Sequence, residues 1–354
     1  MIIRLLKLYL TKIIKPPRCL ALAVTTILLS VFPAMADEIL MKDGSRLIGT
    51  VVKQSCSSIL DFSTTYAGVI KIKWAEVSEV IIDQPMTLLL KNGETHQVSS
   101  AKGTQEGVAT VADSGKTETF TLSEIAYVNP EPWRLGEGWM WTGRVNTDLN
   151  HERGNSDKDE YEADFNMTFR RADDRVKFSG DYDREKSNDV LTDDDWRLNG
   201  RYDYFVDEKF FYGGTLGLEH DRFADLRLRT MIGPLAGYEF YESKAMNLEV
   251  AVGPMYVKED FYDANNDDYV GFGWQFDFDR FLIPDRIQFY HRHNGLLQLD
   301  DVENLVWDAW TGLRFPIYAG IVASTEVQVE YDGGAQKGVD TTDTTYNIKL
   351  GYQW

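Results

Sequence analysis

The sequence predicts an all-β chain: a transmembrane antiparallel β-barrel of about twelve strands, preceded by small SH3-like or Sm-like β modules. Three observations carry this. First, the C-terminal segment 344–354 alternates: Tyr346, Ile348, Leu350, Tyr352 and Trp354 share one face, and Asn347, Lys349, Gly351 and Gln353 share the other. Side chains alternate across a strand, so one face is apolar and aromatic and the other polar, as the closing strand of a barrel in lipid requires. Second, the same alternation recurs from Trp139 to the end of the chain. Third, the connections between the runs alternate between long acidic and tight.

The N-terminus sets the compartment. Arg4, Lys7, Lys12, Lys15 and Arg18 form a basic stretch, residues 20–31 an apolar run, and Ala34-Met35-Ala36 a small-x-small site. Residues 1–36 are therefore expected to be a secretory signal peptide, with the mature chain starting at Asp37. The apolar run is short for a spanning helix and no second one follows, which disfavours an uncleaved anchor. Cys19 lies behind Pro-Pro-Arg, which is not a lipid-attachment context. Cys56, the other cysteine, has no internal partner after cleavage and no histidine near it in sequence, and reads as a loop bystander rather than a nucleophile.

The chain carries a net charge of −19, and because segment 1–36 holds five basic and no acidic residues, the remainder carries −24. Phosphate contacts need Lys and Arg, so nucleic acid is excluded as a partner. Bare anionic lipid surfaces are disfavoured unless divalent cations bridge. The mean hydropathy of −0.33 is low for a helical membrane protein, but a barrel hides its apolar residues at every second position.

Residues 37–130 hold short β-like runs separated by glycine turns, and two units repeat. Lys42-Asp43-Gly44 matches Lys91-Asn92-Gly93, each after an apolar run, and Trp74-Ala75-Glu76-Val77 matches Leu122-Ser123-Glu124-Ile125. Asp-Gly and Asn-Gly are strong hairpin signals, because both central turn positions favour positive φ. The expectation is two small periplasmic β modules, each too small to bury much alone. A single irregular β domain with coincidental similarity is the alternative. Asn129-Pro130-Glu131-Pro132 stiffens the connection, and 131–138 is the expected linker.

The barrel is expected over 139–354. Its strands are predicted at about 139–149, 159–171, 175–184, 195–206, 210–221, 226–240, 246–258, 269–280, 286–298, 304–315 and 321–332, with the last closing the chain. Such lengths suit tilted strands of roughly 9–11 residues crossing a bilayer, and twelve is an even count, as single-chain bacterial barrels require. Connections at 150–158, 185–194, 259–268 and 333–341 read as long and acidic; those at 172–174, 207–209, 283–285 and 316–320 read as tight. Short turns are periplasmic in such barrels and longer loops external, which places the N-terminal modules in the periplasm. A β-sandwich also alternates, but its strands are shorter and need no aromatic rim. Here Trp139, Trp141, Trp196, Tyr204, Tyr212, Phe240, Trp307 and Trp354 recur near strand ends, as interfacial girdles require.

The C-terminal portion resembles the family of putative salt-induced outer-membrane proteins, a family of uncharacterised biochemical function. The residues that carry the resemblance are Val327-Gln328-Val329-Glu330-Tyr331-Asp332, the glycine-rich stretch after it, Thr342-Asp343-Thr344-Thr345-Tyr346 and the terminal strand. The resemblance covers roughly 135–354. It implies an outer-membrane barrel linked to salt or osmotic stress and supplies no catalytic residues.

By parity, Glu162, Asp164, Arg170, Lys177, Asp181, Asp183, Arg197, Arg201, Arg227, Arg229, Asp277, Asp279, Asp308, Arg314, Glu326, Glu330 and Lys349 fall on the inner face. Of these, Arg197, Arg201, Arg227, Arg229, Asp277, Asp279, Asp308, Arg314, Glu326 and Glu330 are the candidate lumen-lining residues. They either plug a narrow lumen or line a water-filled path: eight strands leave a filled interior, sixteen an open channel, and twelve lies between. Acidic loops at an open mouth favour cations.

His291-Arg292-His293-Asn294-Gly295 looks like the His-x-Ser-Asn-Gly stretch of outer-membrane phospholipase, with His293 where a serine nucleophile is needed. The bland alternative is a polar strand end near the headgroups. Residues 263–268 begin like a calcium loop but lack the glycine at the sixth position and a bidentate Glu at the twelfth, so they read as a solvated acidic loop. No catalytic residue, cofactor or metal is expected. The function expected is a narrow passive channel or an envelope-stabilising protein in the outer membrane of a Gram-negative bacterium. The alternatives are a barrel-embedded lipid hydrolase and a surface receptor acting through acidic loops. Expected partners are outer-membrane lipid and lipopolysaccharide, the barrel-assembly machinery through the C-terminal strand, and peptidoglycan or a periplasmic protein.

Overall fold

The computed structural model describes residues 36–52, 55–56, 59–103, 108–113, 116–121, 124–152, 157–243, 245–334 and 340–354. The expected signal peptide falls almost wholly outside the described residues, as do Leu122-Ser123 of the second repeat and parts of the acidic connections near 153–156 and 335–339. By packing, the chain divides into two units: Met1–Val52, Ser57–Met86 and His96–Glu124 in one, and Lys53–Cys56, Thr87–Thr95 and Ile125–Trp354 in the other.

The N-terminal strands are β1 (Asp37–Met41), β2 (Arg46–Val51), β3 (Ser55–Cys56), β4 (Ile59–Thr64), β5 (Gly68–Lys73), β6 (Val77–Leu90), β7 (Thr95–Gly103), β8 (Val108–Asp113), β9 (Lys116–Thr121) and β10 (Ile125–Val128). Their sheet runs β5-β4-β2-β1-β6-β7-β8-β9. In the first unit Ile39, Leu60, Phe62, Trp74, Val77, Val80 and Met86 are buried, drawn from alternating strand positions. In the second unit β10 pairs with β3 and with the end of β6, burying Leu88, Leu90, Ile125 and Val128.

The two glycine turns are built alike. Gly44 N–H donates to Met41 O and Met41 N–H to Ser45 O; Gly93 N–H donates to Leu90 O and Leu90 N–H to Glu94 O. Both glycines have φ +87°, which a side chain would strain. In each turn the Asx side chain accepts a backbone N–H two residues on, Asp43 from Ser45 at 2.8 Å and Asn92 from Glu94 at 3.0 Å. That backbone donor holds the Asp43 carboxyl below the ordinary aspartate range.

The barrel strands are β11 (Met140–Glu152), β12 (Lys158–Arg170), β13 (Asp174–Ser187), β14 (Val190–Phe205), β15 (Phe210–Asp221), β16 (Leu226–Glu242), β17 (Met246–Phe261), β18 (Asp267–Ile283), β19 (Ile287–Gln298), β20 (Leu305–Tyr318), β21 (Ile321–Asp332) and β22 (Thr342–Gln353). They form a closed antiparallel ring of twelve, each paired with its sequence neighbour. β22 closes the ring on β11, matching Leu350–Gln353 against Arg144–Thr147, with Gly143 and Trp354 exchanging backbone bonds at 3.2 and 3.0 Å. Among the described residues no helix is long and apolar enough to cross a membrane.

The strands run 12 to 17 residues, and several, such as β13, β14, β17 and β18, are longer than the sequence pattern predicts because acidic segments expected as loops are paired. The connection expected at 185–194 is a two-residue turn, Asn188-Asp189, with φ of +50° and +62°. Both types tolerate the left-handed region, which suits a tight hairpin. Likewise Glu259 pairs with Asp267, so the ladder runs into the segment expected as the next long loop. At the other end the described turns are 171–173, 206–209, 284–286 and 319–320. In the second of these Asp207 accepts N–H bonds from Phe210 and Lys209, both 2.7 Å, which hold its carboxyl below the ordinary range.

Candidate functional site

The candidate site is the barrel interior, and strand alternation builds it. On β22, Tyr346 and Ile348 are 78% and 75% exposed, while Asn347 and Lys349 between them are buried. Outward positions elsewhere carry Trp141, Val145, Phe178, Leu198, Leu216, Ile232 and Phe272, all exposed. That is the surface a lipid-facing barrel needs. Aromatic pairs rim both edges: Tyr204 with Tyr212 at 5.6 Å and Trp141 with Trp354 at 5.5 Å near the short turns, Trp307 with Tyr331 at 5.7 Å near the other end.

The inward charges are tied together in three groups. In the first, towards the short turns, Arg175 reaches Asp203 (2.8 Å), Glu239 (2.7 Å) and Glu249 (2.6 Å), and Arg201 reaches Asp203 (2.7 Å) and Glu249 (2.6 Å). Asp203 is fully buried. Lys177 adds Glu249 at 3.0 Å and, from β13 across to β18, Asp277 at 3.4 Å. The guanidinium groups of Arg170, Arg175 and Arg201 stack on Phe205 and Phe211, which close this end with Leu235 and Ala251. Ring faces favour cations, more so where water is excluded.

In the second group Lys349 bonds Glu162, Asp164 (3.2 Å) and Glu326 (2.9 Å). Asn347 and Asn146 donate to Glu162 and Asp164, and the Tyr290 hydroxyl donates to Glu326 at 2.9 Å. Arg314 lies 3.7 Å from the Tyr290 ring centre and donates to Gln288 at 3.2 Å. Asp279 accepts from Asn247 at 2.9 Å.

The third group lies towards the other end. Arg197 on β14 bonds Asp181 (2.9 Å) on the neighbouring strand, then Glu330 on β21 and Asp308 (3.2 Å) on β20. Arg229 bonds Glu219 (3.0 Å) and Glu259 (2.6 Å). Beside it Met255, Val257, Tyr269 and Leu296 make an apolar interior patch.

The structure thus brings nine of the ten candidate residues into contacts that cross or line the interior. Arg227 departs: a register shift between Leu226 and Leu228 breaks the parity there, and Arg227 is exposed. Sequence reasoning passed over Arg144, Arg175, Glu219, Glu239, Glu249, Glu259 and Arg292, while Asp203 falls on the polar face of its strand with Arg197 and Arg201. Parity was enough to find Arg175, two residues before Lys177.

His291 and His293 lie in the middle of β19, not at a strand end. They alternate with the inward Arg292 and pack against outward rings, His291 on Phe276 (5.7 Å) and His293 on Trp307 (5.5 Å). Thr311 Oγ1 lies 2.8 Å from His291 Nδ1. The connection at 262–266 is held by side-chain oxygens: Asp225 accepts the Asp263 and Ala264 N–H groups, and Asn266 accepts that of Phe261.

The family described as "Protein of unknown function, DUF481" matches residues 148–354, more than half of the chain. The chain belongs to this family. The match covers nearly all of the barrel and none of the sheet before it. Among curated proteins none matches. Solved structures with a similar fold include the NanC porin, 11% identical over 61% of this chain and all of that one, TM-score 0.39. The CymD monoaromatic hydrocarbon channel is 10% identical over 62% of this chain and 81% of that one, TM-score 0.31. The outer membrane channel DcaP of Acinetobacter baumannii is 10% identical over 90% of this chain and 94% of that one, TM-score 0.31. These likenesses concern the fold alone.

Proposed function

We propose that this DUF481 protein is a non-enzymatic outer-membrane barrel, closed at rest, that stabilises the envelope and passes at most water and small ions. The observation that carries this is Arg197, which holds Asp308 and Glu330 from across the interior. A solute wider than water has to break those pairs to pass. The N-terminal strands lie in the periplasm in this reading, next to peptidoglycan or a protein partner, and the acidic hairpins face outwards. Lipid and lipopolysaccharide surround the barrel, and the C-terminal strand is what the barrel-assembly machinery receives. The link to salt or osmotic stress rests on the resemblance alone. Liposome swelling tests the reading: vesicles carrying the protein should not admit small sugars, and swelling at the rate of a general porin would overturn it.

A second reading draws on the His291–Thr311 pair. A hydroxyl and a base within hydrogen-bond reach on a lipid-facing surface are two parts of a hydrolytic site. Against it, the neighbour on the same strand is a stacked imidazole, His293, with ring centres 6.3 Å apart. Fatty-acid release from phospholipid vesicles that disappears in Thr311→Val would favour hydrolysis over the closed-barrel reading.

A further inference from the structure

Most interior cations are matched to two or three carboxylates, but one patch is not. Arg144 on β11 is 9% exposed, its Nε is buried without a hydrogen-bond partner, and its guanidinium pairs with no carboxylate among the described residues. Arg314 on β20 is 6% exposed; it donates to the neutral Gln288 amide and stacks on Tyr290. Gln288 and Tyr290, which Arg314 contacts, alternate along β19 on the same inward face as Arg292. Arg292 donates to Asn166, the residue directly opposite Arg144 in the ladder, while its own Nε is buried without a partner. The carboxylate paired with Arg292, Glu326, is 3.7 Å away; it is also ion-paired with Lys349 and accepts from the Tyr290 hydroxyl. Among the described residues Asp164 is ion-paired with Lys349, Asp277 with Lys177, and Asp279 accepts from the neutral Asn247 amide; none of the three is ion-paired with these arginines.

Three guanidinium groups therefore share one stretch of the interior, and among the described residues only Arg292 has a carboxylate, Glu326, within ion-pair reach. Buried charge is tolerated when it is paired. We propose that Arg144, Arg314 and Arg292 form a binding site for a small oxyanion, such as phosphate, sulfate or a carboxylate solute, which supplies the missing negative charge. The planar fork of a guanidinium fits two oxygens of such an anion at once, which a point charge does not. With a chain charge of −19, diffuse attraction to the protein as a whole does not explain anion binding here. The site is independent of conductance and stands whether or not the barrel passes ions.

The test is calorimetric titration of the folded full chain in detergent with inorganic phosphate and with sulfate. The expected result is saturable binding of one anion, weakened at least about tenfold in Arg144→Gln and in Arg314→Gln, the effect of losing a charge-assisted hydrogen bond. Arg286→Gln, on an exposed turn residue, should bind as the unsubstituted chain does. If a glutamine variant does not fold, Arg→Lys at the same position keeps the charge, loses the fork and should show the same weakening. No saturable binding of either anion, or equal affinity in the Arg144 and Arg314 variants, would overturn the proposal.

Discussion

Arg197 and Asp308 stand on β14 and β20, six places apart in a ring of twelve, yet Nη1 of one lies 3.2 Å from Oδ1 of the other. Strands that far apart have no ladder contact, so the pair spans the interior. Arg197→Ala leaves Asp181, Asp308 and Glu330 facing one another without their cation. Breaking such a pair from one side costs about 3–5 kcal/mol. The expected outcome is a lowered urea midpoint for Arg197→Ala, partly restored in the double variant with Asp308→Asn, in a double-mutant cycle.

Lys349 on β22 plays the same part, one ammonium among Glu162, Asp164 and Glu326. Lys349→Met keeps the length of the side chain and removes its charge. Three clustered carboxylates then repel, and a loss of about 3–5 kcal/mol is expected. Unfolding curves at pH 7 measure it, and adding Glu162→Gln should recover part of the loss by removing one of the three charges.

Gly143 faces Trp354 directly across the closing seam, where a Cβ on the glycine would overlap the indole ring. Trp274 covers Gly295 in the same way on the lipid side. An aromatic ring that shields a cross-strand glycine pins register. Gly143→Val should displace Trp354 and weaken closure by about 1–3 kcal/mol. Heat-modifiable migration on gels should fall to a lower temperature, and Gly200→Ala, which meets only Phe178 at 3.7 Å, should leave it unchanged.

In the N-terminal sheet Gly44 and Asp43 make one turn. Gly44→Ala places a side chain at φ +87° and should cost about 1–2 kcal/mol. Asp43 has a folded value below its unfolded one of about 3.9, so its contribution is present above that pH and lost as pH falls through the lower folded value. Asp43→Ala should therefore increase protease cleavage at pH 7 relative to the unsubstituted chain, and the difference should shrink as the pH is lowered into the acid range, with pepsin as the probe there.

The barrel was legible because alternation along each strand is a local property: Tyr346, Ile348 and Leu350 point outward wherever β22 sits. What crosses the lumen was not. Whether Arg197 meets Asp308 depends on how the ring closes, which no pattern within one strand reports. Parity also fails at bulges, as at Arg227, and it does not mark where pairing continues past the bilayer, as at Asn188-Asp189, whose acidic neighbours resemble a loop in composition. On β17 the inward face is Ala251, Gly253, Met255 and Val257 between Glu249 and Glu259. That largely apolar run hid two carboxylates that complete the ion pairs of Arg201 and Arg229.

The claim that the interior is held shut by charge pairs is tested most directly by single-channel recording in planar bilayers, comparing the full chain with Arg197→Ala. The full chain should give a folded, silent barrel and the variant cation-selective steps, with Asp181, Asp308 and Glu330 lining the opened path. Large, stable conductance from the unsubstituted chain, unchanged by Arg197→Ala, would contradict it.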